Sequence, residues 1–197
     1  MRLPALPPPL VTPFHGFAIL SGAALPVSLL WPEPTVGRTL FLQVLVFLQG
    51  ILSLQIGEVE RGYGGFRPHA RLLRLFFFTA TALALALPFL LVHRVETGSD
   101  WPAFSLSLLF LLAHGFVWTS AGYGLPAVVR SEGLRFVVKY GGLVLANVLP
   151  LFFAPFVSGL WVLPALWEGR GAAAGLALYL GLSGVSIPWI WRGRRGS

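Results

Sequence analysis

The sequence predicts an all-α polytopic membrane protein with six transmembrane helices, the fifth of them broken or followed by a re-entrant segment. Three observations carry this expectation. Hydrophobic residues make up 56% of the chain and charged residues 11%, whereas soluble domains carry about 25% charged residues. Mean hydropathy is +0.78. The apolar residues gather in stretches close to the roughly 20 positions that a helix needs to cross a bilayer. With six crossings among 197 residues, no soluble domain of ordinary size fits beside them. Residues 1–197 therefore read as a single transmembrane domain.

The first nine residues hold Arg2 and four prolines, a composition that favours extended chain over helix. The basic content is too thin, and the prolines too many, for a cleaved secretory leader. The first span is expected at about 10–31, short or kinked because it contains Pro13 and Pro26. Trp31-Pro32-Glu33-Pro34 marks a turn at headgroup depth. The second span, 39–57, carries Gln43, Gln49, Ser53 and Gln55. Gln49 and Ser53 lie four apart, on one helix face that should look at other helices rather than lipid.

Glu58 to Arg74 is the longest polar interruption. Read as a connection of seventeen residues, it is long for adjacent spans, and long loops tend to be functional or disordered. Arg67, Arg71 and Arg74 would share one face of a short helix lying along the membrane surface. The third span, 75–92, has alanines at 80, 82, 84 and 86; pairs four apart permit close helix approach. A hydrophilic loop, 93–100, leads to the fourth span, 101–123. Residues 128–140 interleave Arg130, Glu132, Arg135 and Lys139 with apolar positions and read as a short interfacial helix. The fifth run, 141–167, is interrupted by Pro150, Pro155, Gly159 and Pro164, too broken for one helix. The sixth, 171–191, is rich in small residues, with Gly171, Gly175, Ala177 and Gly181 suiting a close helix contact.

Charge sets the expected orientation. Six spans put both termini, 58–74 and 128–140 on one side, together with eleven of the fourteen basic residues. The positive-inside rule makes that side the cytoplasm of a cell (inner) membrane protein. The net charge of +7 is thereby a matter of topology, and no nucleic-acid partner is expected.

Signs of catalysis are scarce. The chain has no cysteine, which excludes disulfides, thiolate metal sites and thiol nucleophiles. Lys139 is its single lysine, and no phosphate-binding loop is present. No enzyme activity, cofactor or metal is expected. Ser120-Ala121-Gly122 and Ser183-Gly184 lack the companion histidine of an intramembrane serine protease. His114 is the one ionisable group near a span centre. It would serve either as a haem ligand or proton relay, or as a neutral group hydrogen-bonded to another helix with Gln49 as partner. The second reading is favoured, because a haem bridging two helices needs a second mid-span histidine. Gln49, Ser53 and His114 are the expected intramembrane polar site.

The Glu-x-Glu-x-Gly pattern at Glu58, Glu60 and Gly62 ends a span and precedes a short basic helix. In this it resembles the cytoplasmic connector of ATP-binding-cassette exporter permeases. That six-span family includes drug, polysaccharide and lipid exporters, with the haem exporter permease of cytochrome c maturation a compact relative. The resemblance extends to the layout, since re-entrant pieces follow the fifth span there. Pro7-Pro8-Pro9 stands where that family has an amphipathic helix. The resemblance implies coupling to a separate cytoplasmic ATPase subunit through Glu58, Glu60, Arg61, Gly62, Arg67, Arg71 and Arg74, within a homo- or heterodimer of permease subunits in the lipid bilayer. Two rival readings stand beside it: the substrate-binding subunit of an energy-coupling-factor importer, which has a similar size and six spans, and a structural or assembly subunit of a larger membrane complex with no transport of its own.

The topology is directly testable. Reporter fusions after Gly62 and Gly133 should report the cytoplasm, and fusions after Gly98 and Gly169 the outside. One robust reversal among the four sinks the assignment.

Overall fold

A computed structural model describes residues 6–63 and 67–192. Among the described residues there are helices and no strands. In chain order the α-helices are α1 (Pro8–Leu29), α2 (Pro34–Gly62), α3 (Pro68–Thr97), α4 (Trp101–Val128), α5 (Glu132–Val148), α6 (Gly159–Trp167) and α7 (Ala173–Arg192). Six helical stretches are long and apolar enough to cross a membrane, the fifth running Glu132–Phe152. The chain is a multi-pass membrane protein.

Local chemistry explains where the helices start. Each of α1 to α4 has a proline at its first or second position, where the missing N–H would have had no intrahelical partner anyway. Asp100 caps α4 by accepting from the Ala103 N–H at 2.7 Å. Gly98, with φ of 67°, closes α3 in the left-handed conformation that glycine tolerates best.

Two polar segments that look like connections in the sequence are helix ends. α2 begins at Pro34 rather than Thr39 and continues to Gly62, while α3 already begins at Pro68. Only Tyr63 to Arg67 separates them, and Gly64 and Gly65, two further glycines of this polar stretch, lie outside the described residues. No separate surface helix exists at 67–74; Arg71 and Arg74 sit in the first turns of α3 itself. Likewise α4 runs on to Val128, and residues 132–140 are the first half of the fifth crossing, not a detached interfacial helix. Glu58 pairs with Arg135 and Lys139, and Glu60 with Arg74, across helices, so the backbone need not leave its helical path to solvate these charges.

The fifth crossing breaks where the prolines stand. α5 ends at Val148, and two short 3-10 turns follow, Leu149–Phe152 and Pro155–Val157, before α6 returns as a helix of 9 residues. Proline cannot donate to the preceding turn and clashes with it, so both turns carry one near their start. The freed carbonyls find side-chain donors, as the absence of water in a bilayer requires. Ser158 Oγ donates to the Asn147 carbonyl, Tyr179 to that of Val157 at 3.0 Å, and Gln43 to that of Leu160 at 3.3 Å.

α2 and α4 form the centre of the bundle. In each, 61% of the apolar window is buried, against 11% in the fifth crossing. They meet backbone to backbone: a Cβ on Gly57 would strike the Thr119 carbonyl, and one on Gly122 the Leu54 carbonyl. Along α3, the alanines that pack are Ala82 and Ala86, while Ala84 faces outward. In the last crossing only Gly175 of the small residues is tightly enclosed, by Val162 and the Phe156 carbonyl.

Gly122→Val should therefore lower the unfolding temperature and the yield of folded protein, because overpacking a rigid contact costs about 1–3 kcal/mol or more. Gly142→Ala meets nothing within 4 Å and should raise stability by about 0.5–1 kcal/mol through helix propensity. Thermal unfolding in detergent reads both; an equal response to the two substitutions would contradict the packing.

Candidate functional site

Polar side chains concentrate at two places, one at the end of α2 and one at the middle of the bundle. At the first, Glu58 and Glu60 occupy the last turns of α2. Two residues apart on a helix they point roughly 200° away from each other, so each reaches a different neighbour. Glu58 turns to α5: its Oε1 lies 3.1 Å from Arg135 Nη1 and its Oε2 2.6 Å from Lys139 Nζ. Arg135 and Lys139 are four apart and so share a face. Glu60 turns to α3 and takes both arms of the Arg74 guanidinium, Nε and Nη2, at 2.8 Å each. This is the bidentate fork geometry of the stronger ion pairs, and the Glu60 side chain has no exposure at all. Arg61 completes the cluster on the α4 side. It donates to the Tyr123 carbonyl at 3.0 Å, and its guanidinium and that of Arg71 stand 5.3 and 5.4 Å from the Tyr123 ring centre. The end of α2 is thus clamped to α3, α4 and α5 at once.

Of the residues expected to meet a partner, Glu58, Glu60, Arg61, Arg71 and Arg74 are engaged within the chain. Gly62 and Arg67 are exposed, and so are Tyr63 and His69 beside them. Arg67, Arg71 and Arg74 do not form one exposed basic face, since Arg71 is buried.

At mid-bundle the structure joins Gln49 of α2 to His114 of α4, with Nδ1 and Oε1 3.2 Å apart. Trp118, one turn further along α4, donates its indole N–H to His114 Nε2 at 3.0 Å. An indole only donates, so Nε2 accepts and the imidazole proton sits on Nδ1, directed at Gln49 Oε1. The Gln49 amide nitrogen then donates to the Leu111 carbonyl at 2.9 Å. Both ring nitrogens are used and His114 is fully buried, an arrangement suited to holding α2 against α4 and not to an open metal ligand. Ser53 is also fully buried, but its hydroxyl has no hydrogen-bond partner and does not join the pair. The start of α6 packs onto this core through Gly159. A Cβ there would stand 3.0 Å from Asn147 Oδ1 and 3.1 Å from His114 Nε2.

Several of these residues escape sequence reasoning. Trp118 is four residues from His114 and Lys139 four from Arg135, a spacing that signals a shared face but not what the face meets. Asn147 and Ser158 flank the proline break, the one hint that backbone there needs donors. His93 gives no signal in the sequence. It is fully buried between Phe41 and Trp167, ring centres 4.7 and 5.1 Å away, and neither ring nitrogen has a partner. Among the described residues, no three histidine or carboxylate side chains converge as metal ligands.

No family model, no curated protein and no solved structure matches this chain.

The clamp has a measurable signature. Arg74→Ala leaves the buried Glu60 carboxylate without its fork and should destabilise the fold by about 3–5 kcal/mol. Arg74→Lys keeps the charge, loses the second bond and should fall between the two. Thermal unfolding that ranks lysine no better than alanine would show that the charge pairing does not matter.

Proposed function

We propose that the chain is the membrane-spanning permease subunit of an ATP-driven exporter, working as a dimer with a separate cytoplasmic ATPase. Both termini lie in the cytoplasm and the protein resides in the cell inner membrane. The observation that carries this reading is the interrupted fifth crossing. After Pro150 and Pro155 the chain returns as α6 before α7 begins. α6 ends against the far end of α3, where Trp167 Nε1 donates to Thr97 Oγ1 at 3.0 Å, opposite the α2–α3 turn. This is the layout that the resemblance to exporter permeases implies.

The clamp revises how coupling would work. The surface offered to an ATPase is the turn itself, with Tyr63, Arg67 and His69 exposed. Glu58, Glu60, Arg61, Arg71 and Arg74 stand behind it and relay a push on the turn to α3, α4 and α5 together. ATP-driven closure of the partner would bias two arrangements of those helices only by contacting the turn differently in each. A structural or assembly subunit of a larger complex is the second reading, favoured by the closure of both carboxylates within the chain.

Affinity purification from native membranes separates the two. An ATPase bearing a phosphate-binding loop should be retained in stoichiometric amount, and Arg67→Glu combined with His69→Glu should release it while leaving insertion intact. Arg71→Glu is no test, because Arg71 is buried and its loss disturbs the fold. Absence of any such ATPase from the unaltered protein defeats the exporter reading in favour of the assembly subunit.

A further inference from the structure

At the membrane face opposite the α2–α3 turn, the start of α2, the end of α3, the start of α4 and the α6–α7 link enclose a cavity of 660 Å³. That is within the roughly 300–1,000 Å³ of small-molecule sites. Two guanidinium groups, Arg38 and Arg170, and two carboxylates, Asp100 and Glu168, line it, so the cup carries no net side-chain charge. Its groups are unequally committed. Glu168 and Arg170 pair at 2.5 Å, and Asp100 Oδ1 is taken by the α4 cap. Arg38 makes only a long bond of 3.5 Å to the Glu96 carbonyl, with no carboxylate within ion-pair distance among the described residues. The cup lies at headgroup depth, where the exposed Trp31 and Trp101 also stand.

A second cavity, of 460 Å³, shares Asp100, Ala103 and Gly169 with the cup and runs down between α4 and α7 past Leu106, Leu176 and Ala177 to Leu180. Its walls beyond the shared rim are apolar. A polar, charge-balanced cup opening directly into an apolar groove that descends towards the bilayer centre is complementary to one kind of molecule, an amphiphile with a charged but neutral head. Arg38 offers a planar fork suited to a phosphate, while the carboxylate oxygens of Asp100 and Glu168, which line the same cup, suit the N–H donors of a primary ammonium.

We propose that this cup and groove bind one membrane phospholipid with a phosphoethanolamine head, its phosphate on Arg38, its ammonium on the Asp100–Glu168 side and one acyl chain along α4 and α7. The site does not depend on the exporter reading. A quaternary ammonium lacks the N–H donors that the carboxylates would take up, and a glycerol head lacks the cation altogether.

Native mass spectrometry of the purified full chain in detergent, titrated with defined lipids, tests this. One phosphatidylethanolamine should be retained at about tenfold lower concentration than phosphatidylglycerol or phosphatidylcholine, the scale of one charge-assisted contact. Arg38→Gln, at an exposed position, should erase that preference. Ala177→Trp, which fills the groove from a lipid-facing position, should weaken retention independently of Arg38. Equal retention of the three lipids, or a preference unchanged in Arg38→Gln, would reduce the lipid to an annular one and overturn the proposal. Water-soluble glycerophosphoethanolamine binding as tightly as the intact lipid, with Ala177→Trp without effect, would overturn the acyl groove.

Discussion

The structure depends first on how closely α2 and α4 approach. Glycines at 57 and 122 let one helix lie directly on the backbone of the other, and this fixes the axial register of both. Two polar contacts follow from that register. It sets Gln49 beside His114 in the middle of the bundle, and it sets Arg61 beside the Tyr123 carbonyl at one end. Small residues matter here because lipid tails are as apolar as leucine, so burial gives no preference for helix over lipid and close packing must supply it.

A helix broken within a bilayer leaves carbonyls that water cannot satisfy. The donors that solve this come from two other crossings, Gln43 of α2 and Tyr179 of α7, and from Ser158 at the head of α6 itself. The break is therefore held partly by its own residues and partly by α2 and α7. Asn147 belongs to the same solution, holding the last turn of α5 through its side-chain bond to the Leu143 carbonyl at 3.0 Å.

Much of this was legible in the sequence, for identifiable reasons. Apolar stretches of bilayer length announce crossings, and Pro150 and Pro155 announce the interruption, because proline acts on local backbone and needs no tertiary context. The pairing of Gln49 with His114 was legible because polar groups at membrane depth must find each other. The stretch from Glu58 to Arg74 misled, since a run of charges reads as solvated chain when each charge is taken alone. Glu60 and Arg74 are fourteen residues apart, and Glu58 and Lys139 eighty-one; once paired, they let α2, α3 and α5 extend as helices through residues that look like loop. His93 and the cup around Arg38 were illegible for the same reason in stronger form. They exist only where the ends of separate helices converge.

The Glu58 clamp also bears on how such a protein is made. The fifth crossing is the most lipid-exposed of the six, and its first half carries Arg135 and Lys139, costly groups to bring into hydrocarbon alone. Synthesis runs from the N-terminus, so α2 is in place with its carboxylate before those cations leave the ribosome. The acceptor precedes the charge it neutralises. Chain order thus does for insertion what packing does for the finished bundle: the least hydrophobic crossing enters last but one, onto a neighbour already holding its counter-ion.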